Sequence, residues 1–313
     1  MTGNSINNQI GLSTENQILS HIRAAAGQWQ GFNDQTDTFG FYNRAGTPEG
    51  NIAANIGSMC IDTSTGDLYM KTTDTVNTGW VLVAASSTFS VVNQTFTANN
   101  TYTPTTGMVY CTVEMVGGGG GSGGTAATGV ADRAVTGGGG GGEYAKGIFS
   151  AATIGASQAV TIGAGGAGGA AGNNPGSTGG TTSLGALLTA VGGSGSVGGP
   201  STSYANTIKG AGGAGGTGGA GGYLRFPGQA GGLGYTAQNT AGVQKISGSG
   251  GSSFYGTGAY GYDIFELEVT SAGASGTGYG AGARGAVATN SQAAVAGADG
   301  TAGIVIVTEY VIS

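Results

Sequence analysis

The chain has 313 residues, of which 71 are glycine and only 24 are charged, so its charged fraction of 8 % lies far below the ~25 % usual for soluble domains. Leu, Ile, Val and Phe together number 55, and Gly, Ser and Pro number 101, a balance that taken alone describes a low-complexity chain. The net charge of −6 is nevertheless too small to hold a chain open, five prolines exclude a collagen triple helix, and the acidic balance offers nucleic acid no electropositive surface.

In chain order, the first expected element is a helix. Thr14 and Gln17 have capping-box spacing, and Ile18, Ile22, Ala25 and Trp29 follow on one stripe. Two heptads do not sustain a helix alone, so residues 1–45 read as an N-terminal anchor whose helix packs on copies of itself or on another protein. His21, the one histidine, reads as a packing or surface residue on that helix. After Gly31 the segment loses helical period and reads as an extended or looped arm. Met1 opens a polar stretch without the basic and apolar regions of a secretion signal, so synthesis in a cytoplasm is expected. No run of ~20 large apolar residues predicts membrane insertion. Cys60 and Cys111 fall in segments of opposite character that give no reason to pair them.

Residues 46–85 predict a small β unit. Strands at 57–62 and 67–71 flank a turn ending in Gly66, a third runs over 79–83, and Trp80 supplies the large apolar surface so small a unit needs. The division that follows is set by glycine, with 11 in residues 1–116 and 60 in residues 117–313. Residues 86–313 alternate glycine tracts with strands expected at 88–96, 108–116, 143–149, 159–162, 183–191, 262–269 and 303–310. The strongest two, 109–116 and 304–310, stand at the start and end of this part, and pairing them would close it into one β-sandwich-like domain.

The tract 211–222 consists of four triplets with two glycines each. A period of three fits neither an α-helix nor a strand, but it fits an extended helix of the polyproline II type, in which twelve residues span ~37 Å. Such a helix makes no internal hydrogen bonds, so its amides need water or neighbouring chains, and glycine lets neighbours come close. Two readings stand: an ordered, laterally bonded polyglycine array, or irregular loops pinned by the β core, since ordering glycine carries the highest entropic cost.

Chemical motifs are few. Gly120–Gly124 matches a nucleophile elbow around Ser122, but no helix follows and the only histidine lies far upstream. Gly163–Gly168 spells a dinucleotide fingerprint whose continuation cannot begin a helix. Glu266 and Glu268 would share one strand face, where paired acids mark the solvent side more readily than a glycosidase site. No phosphate-loop, zinc or calcium spacing occurs. The expectation is a mainly β protein that is not an enzyme and uses no cofactor or metal. A distinct cluster is aromatic: Tyr223, Leu224, Arg225 and Phe226 follow the longest triplet run, and Tyr235, Phe254, Tyr255, Tyr260, Tyr262 and Tyr279 sit among glycines. These residues either wedge glycine layers or offer contact area to a ligand at low entropic cost.

Two resemblances bear on function. Gly46-Thr47-Pro48-Glu49-Gly50, Gly57-Ser58, Asp62-Thr63, Gly66-Asp67-Leu68-Tyr69, Lys71 and Gly79-Trp80 are similar to a small module of bacteriophage tail fibres and tailspikes. That likeness implies a homotrimeric stalk and attachment to other virion tail proteins through the N-terminus. Thr101-Tyr102-Thr103-Pro104, the strand running into Gly117–Gly121, Glu143-Tyr144-Ala145-Lys146, Val160–Gly166, Gly180–Ser183 and the terminal Gly303–Tyr310 resemble the glycine-rich domain at the distal end of many phage tail fibres. This second likeness implies a virion protein whose loops bind a receptor, protein or polysaccharide, on the bacterial surface. Its candidate contacts are Tyr223, Leu224, Arg225, Phe226, Tyr235, Phe254, Tyr255, Tyr260 and Tyr279. The alternatives from other classes are a structural fibre or virion decoration protein, an ice-binding protein, and a depolymerase.

Overall fold

A computed structural model describes residues 29–30, 40–73, 75–84, 88–203, 208–239, 242–264 and 270–312. Two units result, Met1–Thr88 and Phe89–Ser313. The expected helix at residues 14–29 lies outside the described residues, apart from Trp29, which with Gln30 forms strand β1 (Trp29–Gln30).

In the first unit the arm after Gly31 supplies a strand. Its sheet runs in chain order through β1, β2 (Gly40–Arg44), β3 (Met59–Asp62), β4 (Leu68–Lys71) and β5 (Trp80–Ala84). β3 and β4 form the hairpin anticipated around Gly66, and β4 pairs with β5. β2 pairs parallel to β3, which obliges residues 45–58 to cross over one face of the sheet. That crossover seats Ala54 and Ile52 against Trp80, Cys60, Tyr42 and Tyr69, and the Trp80 indole donates to the Ile52 carbonyl at 2.8 Å. Glu49 fixes the crossover by accepting from the Gly79 and Trp80 amides. Asp62 accepts from Ser64 Oγ at 2.5 Å, from the Ser64 amide and from the Gly46 amide, with the Ser64 hydroxyl the largest of the causes that hold its carboxyl down at about 2.

The second unit opens with β6 (Phe89–Phe96), β7 (Asn100–Tyr102), β8 (Met108–Val116), β9 (Asp132–Val135) and β10 (Tyr144–Ser150), then a single-turn helix α1 (Ala151–Ile154) capped by Ser150. It continues with β11 (Gln158–Thr161), β12 (Thr182–Leu184), β13 (Leu188–Ala190), β14 (Thr202–Ser203), β15 (Ile208–Gly210) and β16 (Leu224–Phe226). The later strands are β17 (Gly234–Asn239), β18 (Gly242–Ile246), β19 (Gly256–Thr257), β20 (Asp263–Ile264), β21 (Thr270–Ser271), β22 (Thr277–Gly278), β23 (Val287–Ala288) and β24 (Ile304–Ile312).

The two strands expected to close the domain do pair. β8 lies between β24 and β10 in a sheet of order β16-β10-β8-β24-β6. A second sheet, β13-β12-β11-β7, shares one core with it, in which Val113, Met115, Val305 and Val307 meet Tyr102, Val160, Leu184 and Leu188. The strand expected at 183–191 is instead the β12–β13 hairpin, because Gly185 turns at φ 49°. Most of the strand expected at 262–269, including Glu266 and Glu268, lies outside the described residues.

Candidate functional site

The glycine tracts form an ordered array. Rod 1 (117–125) shows how: its amides at 118, 121 and 124 donate to Gly180, Ser177 and Asn174, while those at 119, 122 and 125 donate to Thr301, Ala298 and Val295. Gly120 donates to Gly140. Carbonyls 118, 121 and 124 accept from Gly193, Ser196 and Gly199, carbonyls 119 and 122 from Gly166 and Gly169, and carbonyl 120 from Ala283. A strict period of three in both donors and acceptors means three residues per turn, with successive amides aimed at different neighbours and every third amide at the same one.

Ten such rods occur among the described residues: 117–125, 136–143, 163–170, 174–181, 191–199, 211–217, 228–233, 247–253, 280–286 and 295–303, numbered 1 to 10 in that order. Their bonds place them in three layers, with rods 4, 5 and 6 above, 3, 1, 2 and 7 between, and 10, 9 and 8 below. Rods 1 and 2 are each enclosed by six others and are fully buried. A Cβ on Gly119, Gly120 or Gly121 would stand 2.0, 2.1 or 2.2 Å from the carbonyl oxygen of Ala281, Ser194 or Ala167, so glycine here is a condition of approach. Where rods 1 and 2 lose a direct bond, Ser196 replaces it, accepting from the Gly123 amide and donating to the Gly137 carbonyl. The tract 211–222 does not stay in the array to its end, since Gly221 and Gly222, at φ 74° and 71°, turn the chain toward β16.

Successive rods run in opposite directions, as the bond pairs show: 118, 121 and 124 meet 180, 177 and 174, whereas 118, 121 and 124 meet 193, 196 and 199. The two ends of the array therefore differ. At one end rods 1, 2, 3, 4, 5 and 10 join the paired sheets through β8, β10, β11, β12, β13 and β24. At the other end lie residues 126–135, 171–173, 200–203, 208–210, 234–239, 242–246, 262–264, 270–271 and 287–294, and their strands form two small sheets, β14-β9-β23-β21 and β15-β17-β18-β20. Asp132 ties two of these segments by accepting from Ser201 Oγ at 3.0 Å, and Val130 beside it is 80 % exposed. In a third, the Arg284 guanidinium lies 5.0 Å from the Tyr262 ring centre and donates to Ser271 Oγ.

The nine candidate contact residues divide between these ends. Tyr235 opens the 234–246 segment in β17, and Tyr260, 84 % exposed, lies on the strip that climbs toward 262–271. Tyr223, Leu224, Arg225, Phe226, Phe254, Tyr255 and Tyr279 lie at the sheet end, where β16 pairs with β10 and the Tyr279 amide donates to Tyr255. Arg225 is committed there to structure: it pairs with buried Glu143 at 3.0 Å and also donates to the carbonyls of Thr189 and Gly221. Glu143 additionally accepts from the Val191 and Gly219 amides, locking rods 5 and 6 to the sheet. Phe226, Phe254 and Tyr255 pack around the Tyr144 ring, whose centre is 4.2 Å from that of Phe254. Burial first, then the hydroxyl's bond to Glu114, raises the Tyr144 phenol, and burial with the nearby Glu114 charge pushes Tyr255 up to about 12. Phe226 and Phe254 keep about half their surface exposed, so this cluster wedges the array and also offers a lateral apolar patch.

Ser122 of the nucleophile-elbow match is buried inside rod 1 with its Oγ accepting from the Ala298 amide, and the 163–168 fingerprint is the body of rod 3. Of the far-end segments only 262–269 is expected as a strand from the sequence, although a shared signal is present: 200–209, 262–271 and 287–294 contain no glycine at all. No helix among the described residues is long and apolar enough to cross a membrane. A family model described as a glycine-rich domain matches residues 92–310. Comparison with curated proteins gave no match.

Proposed function

The chain belongs to the glycine-rich domain family, and we propose that it serves in a bacteriophage virion as a tail-fibre adhesin that binds a receptor on the host cell. The observation that carries this reading is the unequal treatment of the two ends of the rod array. One end is fused into the sheet core; the other carries segments poor in glycine, with Thr, Asn and Gln among their residues, whose strands form two small sheets. A stiff scaffold with adaptable polar and aromatic loops at its end is the arrangement that recognition of a varied partner calls for. In this reading the N-terminal region joins other virion tail proteins, and several copies per particle raise avidity by orders of magnitude. The mechanism is adhesion without chemistry.

The test replaces residues 200–209, or 287–294, with Gly-Ser linkers in the full chain and measures binding to susceptible cells. Binding is expected to fall at least tenfold while Phe226→Ala and Phe254→Ala bind as the parent does. The opposite pattern moves the receptor surface to the sheet end. Absence of binding by the folded parent protein to any susceptible cell, together with end-to-end polymers, favours the structural-fibre reading instead.

A further inference from the structure

In the first unit one row of apolar residues crosses the whole sheet. Phe41 stands opposite Met59, Met59 opposite Met70 and Met70 opposite Val81, so all four point away from the side roofed by the crossover 45–58. Phe41 is 43 % exposed, Met70 37 % and Val81 50 %, while Ile61 and Val83 on the same side are 50 % and 52 % exposed. A sheet with water on one side ordinarily alternates apolar with polar residues, whereas this side has Asn43 as its polar member and carries no charge. The row does not end at Phe41. Its partner there is Trp29, in register on β1, the strand through which residues 14–28 enter the sheet.

We propose that residues 14–26 of the same chain cover this side as an amphipathic helix. In sequence the segment joins the capping-box spacing of Thr14 and Gln17 to an apolar stripe of Ile18, Leu19, Ile22, Ala25 and Ala26, and Asn16, Ser20 and Arg23 fall on its other side. So short a helix needs an apolar surface to be stable, and the sheet presents one. Gly27 follows the last stripe residue, the position at which glycine ends helices and lets the chain turn back. The lengths agree: residues 14–26 as a helix extend ~20 Å, and five strands ~4.8 Å apart span ~19 Å. Connectivity selects this occupant over a second copy. With Gly27 and Gln28 alone between the stripe and β1, the tether holds the helix at the roughly millimolar effective concentration of a short linker. The apolar stripe is then used within the chain, and only the polar side of the helix is left for other proteins.

A photoreactive benzophenone amino acid placed at Met70, and separately at Val81, in the full chain tests it. Irradiation is expected to join that position to the peptides holding Ile18, Ile22 and Ala25, in a product that keeps the mass of one chain on a denaturing gel. Products of two chain masses assign the cover to a second copy and overturn the proposal, as do one-chain products joined elsewhere or a folded protein that yields none. Because the bulky reagent could disturb the sheet, Ile18→Asp combined with Ile22→Asp is measured separately by hydrogen exchange. Amides of β3 and β4 are expected to exchange roughly tenfold faster in this variant, while those of β8 and β24 in the second unit exchange as in the parent. Unchanged exchange in β3 and β4 overturns the proposal. Cell binding by the same variant is expected at the parent level, so this inference and the adhesin reading fail separately.

Discussion

Within one domain, the paired sheets and the rod array solve the same packing problem with opposite materials. The sheets bury hydrocarbon: Val113, Met115, Leu184, Leu188, Val305 and Val307 are wholly enclosed, and the backbone bonds follow from bringing those side chains together. The array buries amides. Around rod 1 almost nothing but backbone meets backbone, so its cohesion rests on saturating every N–H and C=O, with glycine permitting the approach. Removing atoms should therefore damage the first region and adding atoms should damage the second.

The sharpest break is Gly120→Ala, whose Cβ would meet the Ser194 carbonyl at 2.1 Å in rod 5, which is itself held by bonds to rods 1, 2, 4 and 6. The expected loss exceeds the ~1–3 kcal/mol of ordinary overpacking, read as absence of a cooperative thermal transition in purified protein; a parent-like melt would mean the rods are not bonded as described. Next comes Leu184→Ala, which opens a void in the sheet core and should lower the stability measured in denaturant by ~2–5 kcal/mol.

Proton effects are smaller and separate the two units by pH. Tyr255, raised to about 12 chiefly by burial, contributes stability that is whole below the ordinary phenol value of 10.0 and lost as pH climbs through 12. Asp62, lowered to about 2 chiefly by the Ser64 hydroxyl, contributes above 3.8 and loses its contribution as pH falls toward 2. Tryptophan fluorescence, sensitive to Trp80, should then respond to acid before the sheet end does. Asp62→Asn should abolish that acid step. The smallest effect is expected at Ala167→Ser, an outward position of rod 3, within ~0.5 kcal/mol by thermal melt. A large effect there would show that the rod's outer side is also occupied.

Periodicity made some of this legible. Residues 108–116 and 304–310 alternate as buried strands do, and β8 and β24 pair as their pattern required. The period of three in 211–222 pointed to laterally bonded rods, and Gly213 and Gly216 do donate to Gly138 and Gly141. Composition did not reveal which rod neighbours which, because a polyglycine segment carries no side chain to specify a partner. Register is set elsewhere, by the strands and by Ser122, Thr136, Glu143 and Ser196, whose side chains stand in for missing backbone bonds. The aromatic candidates divide between the two ends for a related reason. Following a tract places a residue at one end of a rod, but which end depends on the alternation of direction, and Phe226 and Phe254 finish at the sheets whereas Tyr235 does not. The parallel strand β2 escaped notice because Gly40–Arg44 sits in a segment whose polar neighbours mask a two-residue alternation.

The burial of amides in rods 1 and 2 also fixes how the domain should respond to temperature. Exposing hydrocarbon raises the heat capacity on unfolding, whereas exposing polar groups lowers it. A domain that releases ten rods of peptide groups together with one modest apolar core should show a heat-capacity increment per residue well under the ~12–15 cal/mol/K of ordinary globular proteins. Its stability curve is then flat, and it holds its shape in the cold, where proteins that depend on oil-like cores begin to weaken.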